Sequence, residues 1–247
     1  MTETKIIKYS EGKYENPIAI VGFPGVGLVG SILTSFVIRE LNMEVIAGIT
    51  SPDFPPYALI QNGNPYPPIR VYGCKRENSS EECGDLVIVT SEISLKPEQF
   101  YDLNSTLMEV FKDLGISSVI SIEGIPQFDE DNSILACGTS KVSRDRIEEL
   151  GLRKLDDGLV RGLTGVMLYE GFYSNVDVLA VLCPANPALP DPRSAASILE
   201  PLSKLVPELK IDTEPLYKEA EDIENKIKEQ QEYACQNATD DVQQLYG

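Results

Sequence analysis

The side chains able to do chemistry form a restricted set in this chain of 247 residues: 39 Asp and Glu, 21 Lys and Arg, eleven Tyr, five Cys and no His. Without imidazole, the Ser-His-Asp and Cys-His nucleophile arrangements are closed, as is any metal site built on histidine. The cysteines, at 74, 83, 137, 183 and 235, contain no Cys-x-x-Cys pair, so neither a zinc site nor a disulfide framework is implied. Cys74 and Cys83 flank a polar stretch and could face one another across a hairpin; two reduced thiols at strand ends is the preferred reading. Catalysis would have to rest on carboxylates, lysine, cysteine or tyrosine. Glu92 and Glu123, at the ends of expected strands, are the candidate acids, against the simpler reading of hydrogen-bonded loop anchors. Nothing in this set requires a metal or a cofactor.

The stretch Val21 to Gly30 offers a different chemistry, because it contains the spacing Gly25-x-Gly27-x-x-Gly30 between an apolar run and a helical pattern. Such a turn lets the backbone approach a pyrophosphate at a helix N-terminus, which makes Gly25, Val26 and Gly27 a candidate anion loop. A nucleotide- or anion-binding enzyme using Gly22 to Gly30 is therefore the alternative reading of the chain. Three features oppose it. The acid expected to close the second strand about 20 residues on is missing, since that strand ends Ile49-Thr50-Ser51 and the next acid is Asp53. Pro24 stiffens the turn, and no Gly-Lys-Ser/Thr follows it. The favoured role is a close-packed joint between strand and helix.

Among the elements that must position these residues, strands are expected at Lys5 to Tyr9, Ile18 to Val21, Val45 to Ile49, Ile69 to Cys74, Asp85 to Thr90, Val119 to Ile122, Ile134 to Cys137 and Val176 to Leu182. Apolar residues at spacings of three and four predict helices from Val26 to Leu41 and from Pro97 to Leu114. Further helices are expected from Ser143 to Leu150 and from an Asp191 cap through Leu205. The run Val166-Met167-Leu168-Tyr169-Glu170-Gly171-Phe172 predicts a buried helix of about three turns. Ser51 to Pro68 holds six prolines and is read as an irregular loop, packed on its own domain or offered as a contact surface. Alternation of strands and helices predicts an α/β fold, a three-layer α/β/α sandwich with a mixed, largely parallel sheet, the mixture coming from the hairpin of Ile69 to Thr90.

That domain is expected to span residues 1–211, followed by an acidic helix over 212–234 and a flexible tail over 235–247. The formal net charge of −18 argues against a nucleic-acid partner, which requires a basic stripe. From Asp212 onward there are ten acids against three lysines. No apolar run approaches the roughly 20 residues that cross a bilayer, and the first residues lack a secretory pattern, so a cytoplasmic protein with no membrane partner is expected.

The segments Gly22-Phe23-Pro24-Gly25-Val26-Gly27-Leu28-Val29-Gly30, Asn62-Gly63 with Pro67-Pro68, and Gly162-Leu163-Thr164-Gly165, taken in order, resemble the proteasome assembly chaperone family in its archaeal homologues. The resemblance covers roughly residues 15 to 220. It implies a purine nucleoside phosphorylase-like fold, a homo-oligomer, and binding to α subunits of the proteasome core particle. It also gives meaning to the last three residues: Leu245-Tyr246-Gly247 fits the hydrophobic-tyrosine-any-residue tail by which such chaperones and activators dock between α subunits. The chemistry is coherent in itself, since a terminal carboxylate suits a pocket lysine while Leu245 and Tyr246 supply apolar area and one hydroxyl.

Overall fold

Strands and helices follow in the order β1 (Lys5–Lys8), β2 (Ile18–Gly22), α1 (Val29–Glu40), β3 (Glu44–Thr50), β4 (Leu59–Gln61), β5 (Asn64–Tyr66), β6 (Ile69–Cys74), β7 (Leu86–Ser91), α2 (Phe100–Leu114), β8 (Ser118–Pro126), β9 (Leu135–Gly138), α3 (Lys141–Leu150), β10 (Arg153–Lys154), α4 (Gly162–Ser174), β11 (Asp177–Ala185) and α5 (Pro192–Leu202). This computed structural model describes residues 4–10, 12–75, 85–127, 132–174, 176–223 and 225. Two units are distinguished, Met1–Ile211 and Asp212–Gly247.

In the first unit nine strands form one sheet in the order β1-β3-β6-β7-β2-β8-β11-β9-β10. Its centre, β7-β2-β8-β11, is parallel. The flank β1-β3-β6-β7 and the β11-β9 pair are antiparallel, and β9 and β10 are parallel. All five residues of β2 are buried, as a strand covered on both faces requires. Alternation along the strands sends Ala19, Val21, Val87, Val89 and Val119 into a core with Leu103, Leu107, Val110 and Phe111 of α2 and Leu163 and Met167 of α4. The opposite residues, Ile18, Ile20 and Ile88, are buried on the face where α1 packs on β2, β7 and β8 and against α5. Thr34 of α1 and Thr90 of β7 share a hydrogen bond there, 2.8 Å between hydroxyls. The α/β fold with helices on both sides of a mixed sheet is thus as the sequence predicts.

Glycine stops and polar caps set the helix ends, although α3 begins at Lys141 rather than at the expected Ser143. Gly115 and Gly151 close α2 and α3 in the left-handed region, at φ 74° and 72°. Ser140 and Asp191 cap α3 and α5, their side chains accepting from Ser143 N at 3.1 Å and Ser194 N at 3.0 Å.

Several expectations need correction. Ile18 to Val21, the helix after it and Val45 to Ile49 read in the sequence as a β-α-β unit, yet β3 does not lie beside β2: the hairpin of β6 and β7 lies between them. The irregular loop of Ser51 to Pro68 ends in a small hairpin, β4 with β5, turning on Asn62 and Gly63, both at positive φ. That dipeptide is a strong hairpin signal, and the prolines concealed it. Helix α4 begins at Gly162, and it is not buried all round: Tyr169, Phe172 and Tyr173 are 55%, 63% and 70% exposed. Helix α5 ends at Leu202, one residue after an internal Pro201, short of the expected Leu205. In the second unit residues 214–223 are helical, the Asp212 carboxylate accepting from Glu214 N at 3.0 Å. The end of the expected acidic helix and the tail, including Leu245, Tyr246 and Gly247, lie outside the described residues.

Candidate functional site

After Gly22 the chain turns through Phe23, Pro24 and Gly25 into a 3-10 turn, Val26–Leu28, before α1 begins at Val29. Gly27 and Leu28 are both left-handed, at φ 61° and 52°, so the reversal into the helix is made by two consecutive residues outside the ordinary region. The loop is anchored to the start of the neighbouring α5, since Gly27 O accepts from Asp191 N at 2.8 Å. Asp191 in turn holds Asn186 N at 3.1 Å, beyond the end of β11. The candidate anion residues Gly25, Val26 and Gly27 therefore sit at the carboxyl ends of parallel strands, where open α/β sheets commonly bind ligands.

The space beside the loop is occupied by protein. A Cβ on Gly22 would run into the backbone carbonyl of Gly30, and one on Gly124 into that of Val26. A Cβ on Gly25 would enter the carboxylate of Glu123. Glu123 lies within β8 rather than at its end, and its Oε2 accepts from the Thr164 hydroxyl at 3.2 Å, in the first turn of α4. Thr164 in turn shares a 2.9 Å hydrogen bond with Ser121, two residues back on the same face of β8. Three stretches distant in sequence, Gly22 to Gly30, Glu123-Gly124 and Gly162 to Gly165, thus meet at one point. A phosphate placed on the loop would face a carboxylate.

Burial pushes the Glu123 carboxyl up to about 7, against a smaller opposing effect of the Thr164 hydroxyl, which favours the ionised form. The unfolded chain ionises this group near 4.5, so between that pH and 7 the folded state binds more protons and stability falls as pH rises. Below the unfolded value both states are protonated and the penalty is absent; above the folded value it is complete. Glu123→Gln keeps an acceptor for Thr164 and removes the charge. It is expected to stabilise the protein at pH 8 by on the order of 1–3 kcal/mol and to leave it unchanged near pH 4. Urea melts of both forms across that range check the prediction, and equal stabilities at pH 8 would refute it.

Glu92, the other candidate acid, follows β7 and is committed to Arg70, whose Nη2 donates to Glu92 Oε1. Arg70 is only 3% exposed; its Nη1 donates to Gln61 Oε1 at 3.1 Å, and the Tyr72 hydroxyl donates to the same oxygen at 3.2 Å. This network clasps the β4–β5 hairpin to the sheet, over a cleft of about 560 Å³ between the hairpin and α1. Glu92 is a loop anchor, and Arg70, absent from the sequence reading, is its partner. The signal was available only as the Asn62-Gly63 turn, which places Gln61 over β6.

Burial pushes the thiols of Cys137 and Cys183 up, which leaves them protonated and poorly nucleophilic. Among the described residues no group of three His, Cys, Asp or Glu could hold a metal ion, and no helix is long and apolar enough to cross a membrane.

A mixed sheet with helices on both faces and glycine-mediated contact of α1 with β2 and β8 defines an α/β sandwich whose joint is packed shut by its own backbone. The profile of the PAC2 family matches residues 19–231, and the chain belongs to that family. Uncharacterized protein MJ0106 of Methanocaldococcus jannaschii is 31% identical over 225 residues, covering 91% of this chain and 90% of the relative. The crystal structure of Pyrococcus furiosus PbaA, an archaeal homolog of proteasome-assembly chaperone, is similar with a TM-score of 0.81 and 31% identity, over 99% of this chain and 100% of that one. Pyrococcus furiosus PbaB, an archaeal proteasome activator, shares the fold at 22% identity and a TM-score of 0.78, over 94% and 100% of the two chains.

Proposed function

We propose that this protein is a non-enzymatic, cytoplasmic chaperone or adaptor of the proteasome, which self-associates and binds the α-ring of the core particle through Leu245, Tyr246 and Gly247. The observation that carries the reading is the kinship with PbaA along essentially the whole chain, joined to a C-terminal sequence of the hydrophobic-tyrosine-any-residue type. Packing at the glycine joint supports it, since the space a nucleotide would use is taken by the Glu123 carboxylate and by backbone. Three terminal residues bind weakly alone. Several identical tails on one oligomer raise the effective concentration, and residues 235–244 reach up to ~35 Å when extended, enough to serve spaced pockets.

The test is capture of purified core particles and of recombinant α subunits by the full chain and by a form lacking the last three residues. Retention by the full chain alone supports the proposal. A nucleotide or phosphate that raises the melting temperature by several degrees, with no capture of α subunits, would favour the alternative of a ligand-binding enzyme.

A further inference from the structure

Asn62 is the one asparagine of the chain that precedes a glycine. Such a pair can react with itself: the backbone nitrogen of the second residue is a nucleophile, the side-chain amide carbon of the first an electrophile, and a bond between them closes a five-membered ring. A side chain on the second residue would crowd the attack, and glycine has none. Proline in that place has no N–H to give up, which excludes Asn16, Asn64 and Asn186. Asn104 is 2% exposed inside α2, and after Asn42 the Met43 N is engaged by Ile38 O at 3.0 Å. Asn62 is held back by none of these. It is exposed at the tip of the β4–β5 turn, and among the described residues neither its side-chain amide nor Gly63 N has a hydrogen-bond partner. Beyond the neighbouring residues of the chain, nothing lies within 4 Å of the place a Cβ on Gly63 would take, so the ring has room to close.

We infer that Asn62 is a site of spontaneous covalent modification, conversion to isoaspartate by way of a succinimide, and that the conversion releases the β4–β5 hairpin from Arg70. In the first step Gly63 N bonds to Asn62 Cγ and the Cγ–Nδ2 bond breaks; Nδ2 leaves as ammonia, taking the proton that Gly63 N gives up. In the second, water adds to one of the two ring carbonyls and the C–N bond of that carbonyl breaks. Opening at Cγ gives aspartate. Opening at the backbone carbonyl gives isoaspartate, whose main chain runs through Cβ and Cγ. Nothing is oxidised or reduced, and water is the co-reactant. The inference is independent of the docking proposed above.

The two products act differently on the turn. Aspartate leaves the length of the main chain as it was. Isoaspartate adds one methylene to a two-residue turn, and the length of that turn is what sets Gln61 opposite Asn64. Gln61 is the residue through which the hairpin is clasped, since its Oε1 accepts from Arg70 Nη1 and from the Tyr72 hydroxyl. Arg70 Nε already has no acceptor among the described residues. With Gln61 displaced, a guanidinium that is 3% exposed retains Glu92 as its partner and the Tyr72 hydroxyl retains none. Buried donors left without acceptors are costly, and lifting the hairpin from the sheet lets water satisfy them.

The experiment is incubation of the full chain, of Asn62→Gln and of Asn62→Asp at mildly alkaline pH, beside a free peptide of residues 59–66, until the peptide is half converted. Peptide mapping by mass spectrometry, with chromatography that separates aspartate from isoaspartate, reads the chemistry; hydrogen exchange over residues 59–66 reads the hairpin. Expected in the parent is conversion at residue 62 at a rate within about 10-fold of the peptide's, because an exposed turn opens at little cost. Asn62→Gln, which would have to close a six-membered ring, should stay unconverted, as should Asn104. In the isoaspartyl fraction, exchange over residues 59–66 should quicken by about 10-fold or more, while Asn62→Asp exchanges as the parent does. An unconverted Asn62 overturns the site. Conversion with unchanged exchange overturns the release. Fast exchange in Asn62→Asp overturns the mechanism, since the new charge and not the longer main chain would then free the hairpin. Conversion at Asn104 as well overturns the selectivity, because it reports unfolding of the whole domain.

Discussion

Removing Leu245, Tyr246 and Gly247 is expected to abolish capture of the proteasome core particle while leaving the melting temperature of the α/β domain unchanged. On the proposed self-association the loss should be at least 100-fold in apparent affinity, because every tail would go at once and with them the gain of 10²–10⁴ that multivalency provides. Appending a C-terminal tag should do nearly as much damage without deleting an atom. It moves the fixed negative charge of the terminus away from a cation that a pocket must supply, and a charge-assisted hydrogen bond left unmade costs more than a neutral one. Tyr246→Phe, which keeps the ring and loses the hydroxyl, should fall between parent and truncation. Surface plasmon resonance against immobilised core particles distinguishes these outcomes, and undiminished binding by the truncated chain would sink the tail as the docking element.

Gly22→Ala is expected to be strongly destabilising, costing about 3–5 kcal/mol, within reach of the 5–15 kcal/mol that holds an average domain folded. The reason is geometric: its Cβ would fall on the carbonyl group of Gly30 and on the Thr34 methyl. Neither backbone can give way, because β2 is hydrogen-bonded on both sides to β7 and β8, and Gly30 lies in the first turn of α1 against the Ile122 carbonyl. Gly63→Ala is the control. Its φ of 78° makes alanine unfavourable by about 1–2 kcal/mol, but nothing lies within 4 Å of the new methyl, so the cost stops there. Gly25→Ala should be intermediate, since it meets the flexible end of Glu123. Denaturant titrations of the three variants give the order directly. A Gly22→Ala protein within 1 kcal/mol of the parent would mean that the glycine spacing is not there for packing.

The parts of the fold legible in the sequence were those governed by local periodicity and local punctuation. Ile18 to Val21 reads as a buried strand because its length and branching suit one. Leu33, Phe36 and Val37 read as the inner face of α1, and all three are buried. Gly115 and Gly151 read as helix stops because only glycine enters the left-handed region cheaply. Where local signals competed, the reading failed: prolines around Asn62-Gly63 hid a hairpin, and with it the position of Gln61 over Arg70. Periodicity also carries no information on strand order, so the insertion of β6 and β7 between β2 and β3 was invisible. The same limit applied to α4. Its run of apolar residues implies burial, but not which of them the fold leaves out: Tyr169, Phe172 and Tyr173 are each more than half exposed.

What the sequence determined by itself was therefore the identity of most elements, the exclusion of histidine chemistry, and the three motifs that carry the family resemblance. Each of these is a property of residues near one another in the chain. Only the tertiary structure decided what the motifs have in common. Glu123, Thr164 and Gly25 are separated by up to 139 positions in the chain and meet at one contact, because parallel strands bring distant loops to the same edge of the sheet. That contact fills with a carboxylate the place where the glycine spacing suggested an anion, and desolvation there sets the charge of Glu123. The exposure of Tyr169, Phe172 and Tyr173 on α4 is likewise a tertiary fact, since it depends on which side of a helix the sheet leaves uncovered.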